Sequence, residues 1–274
     1  MFFVKMQASG NDFILIKNFE GRISPSEGPE LARRLCRRRV SVGADGLILI
    51  EPPKNPRNAF SWRFFNADGS EAEMCGNGGR CAARFAVEEG ISGPRLTFET
   101  LAGEIRAEVK GQRVKVELTP PRDLRLDLDL SLSGETLRVH FVNTGVPHAV
   151  VLVEDLEGVA VEELGRRIRF HESFAPAGAN VNFVKVLPGG GLSVRTYERG
   201  VEGETLACGT GASAAAYVAV KLGLVSAPVS VRTRGGEVLR VYLEDERIFL
   251  EGETRRIYRA FLHPEALSDE KSGC

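Results

Sequence analysis

The sequence predicts an α+β protein of two similar, duplicated units, each a mostly antiparallel sheet wrapped on a central helix. Three observations lead to this fold class. One internal repeat covers most of the 274 residues. Most segments alternate between apolar and polar residues with the period of a strand. Each repeat also contains one apolar, helix-like run that follows a cysteine and a Gly-x-Gly turn.

The repeat is clearest at its two cysteine motifs. "MCGNGGRCAARFAV" begins at Met74 and "ACGTGASAAAYVAV" begins at Ala207, which aligns Cys75 with Cys208 at an offset of 133. Four more pairs of blocks keep the same order at an offset of 133 or 135: "LARRL" with "LGRRI", "ETLAGEI" with "RTRGGEV", "VGADGLIL" with "AGANVNFV", and "ASGNDFILI" with "NTGVPHAVV". This order indicates a duplicated unit.

The repeat also predicts the domain boundaries. The joint lies near "TPPRDLRLDLDLSLSGET", where paired prolines and acidic residues interrupt the pattern, although "LRLDLDLSL" alternates like an edge strand. We predict an N-terminal domain over residues 1–118 and a C-terminal domain over 119–262, with the tail 263–274 able to join the first domain.

Strand-like segments outnumber helical ones in both units. The strands of the first unit are predicted at "FILI", "GLILI", "SWRFFN", "RLTFET", "EIRAEVK" and "RVKVEL", and those of the second at "HAVVLV", "NFVKV", "LSVRTY", "VSVRT", "VLRVYL" and "RIFLEG". Helices are predicted at "SEGPELARRLCRRR", at "VEELGRRIR" and after each of the two motif cysteines.

Composition points to a small-molecule partner. The formal charge of −1 gives no electrostatic reason to expect nucleic acid or an anionic membrane. No apolar run reaches the roughly 20 residues of a membrane span, and "MFFVKMQASGNDF" lacks a signal-peptide pattern, so we expect a cytoplasmic protein. Five cysteines, an odd and sparse set, should then be thiols.

Both motif cysteines are predicted to act as acids and bases. Backbone N–H groups and the helix dipole at a helix start favour negative charge, which lowers the pKa of a thiol and allows nearby amides to hold a carboxylate. Two such thiols facing each other across a cleft could remove a proton from one face of a carbon and return one to the other face, inverting its configuration. A Cys75–Cys208 disulfide would be an inactive, oxidised form.

The other cysteines fit a simpler hypothesis. Cys36, Cys81 and Cys274 have no motif, so we expect small buried side chains there. Cys75 and Cys81 lack C-x-x-C spacing, and with four histidines in the chain no metal site is expected.

Five segments together closely resemble the diaminopimelate epimerase family over nearly the whole chain: "SGNDF", "FFNADGSEAEMCGNGGRC", "TGVPH", "GANVNFV" and "YERGVEGETLACGTGA". The resemblance implies two pseudo-symmetric domains, each a barrel-like sheet around a central helix, with the active site between them, and commonly a homodimer. It also implies cofactor-independent conversion of LL-2,6-diaminopimelate to meso-diaminopimelate, a step in lysine and peptidoglycan precursor biosynthesis.

The resemblance also implies roles for individual residues. Cys75 and Cys208 match the acid/base pair, with Cys208 as base and Cys75 as acid in the LL to meso direction. His148 and Glu198 match residues that tune the cysteines. The positions that match substrate-binding residues are Asn11, Asn66, Gly76, Asn77, Asn180, Glu198, Arg199, Gly209 and Thr210.

Two departures and three alternatives accompany this interpretation. Val146 stands where many family members have asparagine, and Gly46 where some have glutamine. The nearest alternative is a proline racemase or hydroxyproline epimerase, which usually carries histidine at the position of Asn77. Phenazine-biosynthesis-like isomerases lack the cysteine pair. A non-catalytic thiol sensor or ligand-binding module remains the alternative from another class.

Overall fold

A computed structural model describes residues 1–132 and 134–267 of the chain. The chain divides into two compact units, one formed by Met1–Val116 with Glu253–Cys274 and the other by Glu117–Gly252. Of the predicted tail 263–274, residues 268–274 lie outside the described residues, and Cys274 is one of them.

Strands make up most of both units. They are β1 Phe2–Ala8, β2 Asn11–Lys17, β3 Gly46–Glu51, β4 Phe60–Asn66, β5 Arg95–Thr100, β6 Gly103–Lys110, β7 Arg113–Glu117, β8 Arg122–Leu132, β9 Glu135–Asn143, β10 Pro147–Leu152, β11 Asn180–Val186, β12 Leu192–Glu198, β13 Gly203–Thr205, β14 Val229–Arg232, β15 Val238–Glu244, β16 Arg247–Glu253 and β17 Arg255–Phe261. The α-helices are α1 Gly28–Leu35, α2 Gly76–Glu88, α3 Val161–Arg169 and α4 Gly209–Lys221, with short 3-10 turns at Glu172–Phe174 and Pro264–Leu267.

The two units repeat one strand topology. In the first, the order is β17-β1-β2-β3-β4-β5-β6-β7, antiparallel except for the parallel pairs β2–β3 and β4–β5. In the second, the order is β8-β9-β10-β11-β12-β14-β15-β16, antiparallel except for β10–β11 and β12–β14, while β13 adds to β12. The parallel pairs occur at the same places in both orders, so the predicted duplication and fold class are confirmed.

One alanine-rich helix is buried in each unit. Helix α2 buries the side chains of Arg80–Ala83, Phe85 and Ala86, and α4 buries those of Ala212–Ala216, Val218 and Ala219. Alanine favours a helix, and small side chains on several faces let strands approach from more than one direction. Helices α1 and α3 pack on other faces through Leu35 and Ile168.

The final strand differs from the domain prediction. The predicted C-terminal domain includes residues 253–262, but β17 pairs with β1, from Phe2 opposite Phe261 to Gln7 opposite Arg255. The contacts of this strand place it in the first unit. A local sequence pattern does not identify the partner of a strand, and here that partner is more than 240 residues away.

Two further segments can be compared with the predictions. Helix α1 is shorter than "SEGPELARRLCRRR": it begins at Gly28 beside Pro29 and ends at Leu35, and Arg39 has a φ of 73°. "LRLDLDLSL" forms part of β8, antiparallel to β9. Among the described helices, none is long and apolar enough to cross a membrane.

Candidate active site

Cys75 and Cys208 both occupy the N-cap of a central helix. Cys75 precedes α2 with an extended backbone (φ −144°, ψ 119°), and its Sγ accepts a hydrogen bond from the N–H of Gly78 at 3.4 Å. Cys208 precedes α4 with a similar backbone (φ −121°, ψ 108°), and its Sγ lies 3.5 Å from Thr210 Oγ1. The predicted placement of both cysteines at helix starts is confirmed. Both are half-buried, and unpaired N–H groups at a helix start stabilise a thiolate.

Two asparagines lie close to Cys75. Asn11 Oδ1 lies 3.7 Å from Cys75 Sγ, in position to accept the thiol proton, and it also accepts from Asn77 Nδ2 at 3.4 Å. The other side of the Asn11 amide donates to Asp45 Oδ2 at 2.6 Å. Because a carboxylate only accepts, this bond fixes the orientation of the amide and turns its oxygen toward the thiol. The structure thus brings Asn11, Cys75 and Asn77 together.

A buried arginine lies behind this cluster. Arg80 is fully buried in α2 and donates to Asn77 Oδ1 at 2.5 Å and to Ser9 Oγ at 2.8 Å. A guanidinium only donates, so it fixes the Asn77 amide and adds a positive charge near the helix start. Sequence reasoning missed both Arg80 and Asp45. The i, i+3 spacing of Asn77 and Arg80 on a helix was the available signal.

Asn66 and Gly46 lie at the same edge of the first sheet as Asn11. Gly46 pairs with Phe13 on one side and with Asn66 on the other. The Asn66 side chain is exposed at this edge of the sheet, and it donates a hydrogen bond to Ser70 Oγ at 3.0 Å in the turn that follows β4. A Cβ at Gly46 would lie 2.8 Å from the carbonyl oxygen of Phe65, which explains why a glutamine does not fit there.

In the second unit, adjacent strands bring the predicted residues together. His148 on β10 pairs with Asn180 on β11, and Val181 pairs with Tyr197, one residue before Glu198. Asn180 Oδ1 accepts from the backbone N–H of Arg199 at 2.9 Å, and its Nδ2 donates to the carbonyl of Pro147 at 3.1 Å. Asn180 therefore joins the "GVPH" segment to the "YERG" turn. The departure at Val146 leaves a half-buried apolar side chain beside this junction.

Burial favours the neutral form of both residues that are predicted to tune the cysteines, Glu198 and His148. Burial raises the pKa of Glu198, against a hydrogen bond that its Oε2 accepts from Thr205 Oγ1 at 2.8 Å. Burial, with the nearby charge of Arg199, lowers the pKa of His148 to about 3. His148 is therefore neutral at physiological pH and cannot serve there as a proton donor of the imidazolium type.

Cys36 and Cys81 are unsuited to proton transfer. Both are buried, as predicted, and burial raises the pKa of each thiol to about 12. Their thiols stay protonated at neutral pH.

Comparison with known proteins identifies the family. The family model for diaminopimelate epimerase matches residues 3–123 and 140–257. A diaminopimelate epimerase of Hydrogenobaculum sp. is 49% identical over 272 residues, covering 96% of this chain and 98% of the relative. One from Aquifex aeolicus is 51% identical over 278 residues, covering 97% and 99%.

Solved structures with low identity share the fold. A probable proline racemase from Agrobacterium radiobacter K84 is 15% identical with a TM-score of 0.68, covering 97% of this chain and 95% of that one. A PhzF-family phenazine biosynthesis protein from Bacillus anthracis is 14% identical with a TM-score of 0.70, covering 95% and 98%. At this identity, the likeness concerns the fold alone.

The sequence relatives and the family model show that the chain belongs to the diaminopimelate epimerase family.

Proposed function

We propose that this protein converts LL-2,6-diaminopimelate to meso-diaminopimelate, in lysine and peptidoglycan precursor biosynthesis, without a cofactor. Cys75 and Cys208 are the two acid/base residues of the proposed reaction. The observation that carries the proposal is that both thiols occupy the N-cap of equivalent helices in a duplicated fold. Two relatives with 49% and 51% sequence identity are diaminopimelate epimerases by name.

The proposed reaction moves one proton off the substrate and another onto it. A thiolate takes the α-proton from one face of the carbon, and the second thiol gives its proton to the opposite face, so each sulfur exchanges its role when the direction reverses. Backbone amides of Gly76 and Asn77, and of Gly209 and Thr210, are proposed to hold the carboxylate at the reacting carbon. Such fixed donors stabilise the negative charge that develops there.

The contacts at the two sulfurs support Cys75 as the acid in the LL to meso direction. Asn11 Oδ1 only accepts, so its contact with Cys75 Sγ forms while that thiol carries a proton. The contact between Cys208 Sγ and Thr210 Oγ1 can form with either atom as donor, so it also accommodates a thiolate at Cys208. Once Cys75 gives up its proton, the N–H of Gly78 can stabilise its thiolate.

The remaining matched residues are proposed to anchor the far end of the substrate, which carries a second amino acid group. Arg199 suits a carboxylate and Glu198 suits an ammonium group. The amides of Asn11, Asn66 and Asn180 can both donate and accept.

We also propose a cytoplasmic homodimer. Strand β17 exposes three large apolar side chains, with 53% of Ile257, 43% of Tyr258 and 79% of Phe261 accessible. Exposed apolar side chains on a strand at the end of the sheet order favour contact with a second copy. Light scattering coupled to size-exclusion chromatography tests this: a mass of about 30 kDa, the mass of one chain, at micromolar concentration would contradict it.

The direct test of the reaction is incubation of the reduced protein with LL-diaminopimelate in D₂O. We expect meso product that carries deuterium at the inverted α-carbon, and no racemisation of proline in a parallel reaction. Turnover of proline with none of diaminopimelate would instead favour the proline racemase alternative. Absence of exchange on both compounds would contradict the proposed function and favour the thiol sensor.

A further inference from the structure

Asn182 is a fully buried amide that no part of the proposed reaction uses directly. It lies on β11, two residues after Asn180, and all of its side chain is shielded from solvent. Its Nδ2 donates to the carbonyl of Ala149 at 3.0 Å, and its Oδ1 accepts from Thr196 Oγ1 at 3.0 Å. Because a backbone carbonyl only accepts, the first bond establishes which end of the amide is the nitrogen.

The same nitrogen determines the tautomer of His148. Asn182 Nδ2 lies 3.1 Å from His148 Nδ1. An amide nitrogen only donates, so Nδ1 of the neutral ring must accept and the ring proton resides on Nε2. Nε2 is itself buried and bonds to no protein atom among residues 1–132 and 134–267. The Nε2–H of His148 is therefore a buried hydrogen-bond donor without an acceptor among the described residues.

Asn182 also borders the first turn of α4. A Cβ at Gly211 would overlap Asn182 Oδ1 and would lie 3.2 Å from Cys208 Sγ. At the equivalent Gly78 of the first unit, the facing group is Ile48 Cδ1 at 3.2 Å. The first turn of α2 therefore packs on the apolar side chain of Ile48. The first turn of α4 packs instead on the amide of Asn182, which is hydrogen-bonded to His148.

We infer that Asn182 is a positioning residue of the Cys208 half-site, holding His148 as the Nε2–H tautomer and forming the wall behind Gly211. This role rests on the proposed function. In it, the neutral ring of His148 offers Nε2–H as a hydrogen-bond donor and carries no proton between the two faces. The charge of Arg199 reaches the ring and opposes its protonation.

The test is the ring-nitrogen NMR spectrum of ¹⁵N-histidine-labelled protein without substrate. The His148 signals are assigned by their loss in His148→Gln. We expect a neutral ring with the proton on Nε2 from pH 8 to pH 5. A wild-type ring protonated on Nδ1 would overturn the inference. Since no turnover is involved, this result is independent of whether diaminopimelate is the substrate.

Substitution then tests the role of Asn182 itself. In Asn182→Asp the carboxylate cannot donate, so we expect the ring proton to move to Nδ1 or the ring to become cationic, with kcat lower by about tenfold to a hundredfold and KM less changed. Thr196→Val is the matched control, because it removes a hydrogen bond of Asn182 but keeps both of those from Nδ2. A folded Asn182→Asp protein with an unchanged tautomer or an unchanged kcat would overturn the inference.

Discussion

Cys75 and Cys208 hold the same position in their units, each as the N-cap of a 13-residue helix with an extended backbone. Their surroundings nevertheless differ. Cys75 faces the oxygen of Asn11 in a network backed by the buried Arg80, whereas Cys208 lies beside Thr210 and a glycine that packs on Asn182. Duplication thus accounts for two N-cap thiols, and the difference between their neighbours is the basis for the two different roles proposed for them.

Thiol reactivity should separate the cysteines into two classes. With Cys274→Ser as background and after reduction, we expect iodoacetamide at pH 8 to modify Cys75 and Cys208. Cys36 and Cys81, with pKa values of about 12, should remain unmodified, since roughly one thiol in ten thousand is ionised at that pH. Mass spectrometry of tryptic peptides measures each site. Modification of Cys81 at the rate of Cys75 in the folded protein would be inconsistent with this assignment.

The glycine of the Cys208 helix should tolerate a methyl group poorly. Gly211→Ala places a Cβ against the held amide of Asn182, so we expect a loss of about 1–3 kcal/mol in the free energy of unfolding and altered alkylation of Cys208. Gly78→Ala is the matched control. Its Cβ would meet the flexible end of Ile48, and better helix propensity offsets the crowding by up to about 1 kcal/mol. Equal losses in chemical denaturation would refute the distinction.

His148 should make the protein sensitive to acid. Its pKa is about 3 in the folded state against 6.5 ordinarily, so the unfolded chain takes up a proton that the folded protein does not. Stability is therefore complete above pH 6.5 and is lost as pH falls toward 3. Between pH 7 and pH 5, wild type should lose about 2 kcal/mol relative to His148→Gln. Parallel stability curves from urea denaturation would exclude this contribution.

Glu198 should affect stability in the opposite direction. Burial raises its pKa, so the folded state disfavours the carboxylate more than the unfolded state does. Stability linked to this group is fully present below its unfolded pKa and is lost as pH rises through the folded pKa. Glu198→Gln keeps an acceptor for Thr205, so its melting temperature relative to wild type should rise between pH 4 and pH 7. A constant difference would show that the carboxylate is not destabilising. Activity should fall at every pH.

Local features were predictable from the sequence. A cysteine before Gly-x-Gly and an alanine-rich run predicts a capped, buried helix because each of these signals acts within a few residues. "VEELGRRIR" coincides with α3 for the same reason. Many strands were recognisable from alternation or a short apolar run, although β1, β9, β13 and β17 were not predicted, and the repeat predicted that the two units would share a topology.

Non-local features were not. "RRIYRAF" forms β17, whose partner β1 is at the other end of the chain, and no local pattern indicates that pairing. Arg80 looks like a solvated helix residue until the surrounding sheet buries it. Asn182 looks like any inward strand residue, since its importance comes from His148 and Gly211, which lie elsewhere in the sequence.

The most direct test of the two-thiol account is epimerisation of LL-diaminopimelate by Cys75→Ala and Cys208→Ala under reducing conditions, with Cys81→Ala as control. Each N-cap variant lacks the proton carrier for one face, so we expect both to fold and to lose at least about a hundredfold in kcat, while Cys81→Ala stays near wild type. Near-normal formation of the meso product by either N-cap variant would contradict the account.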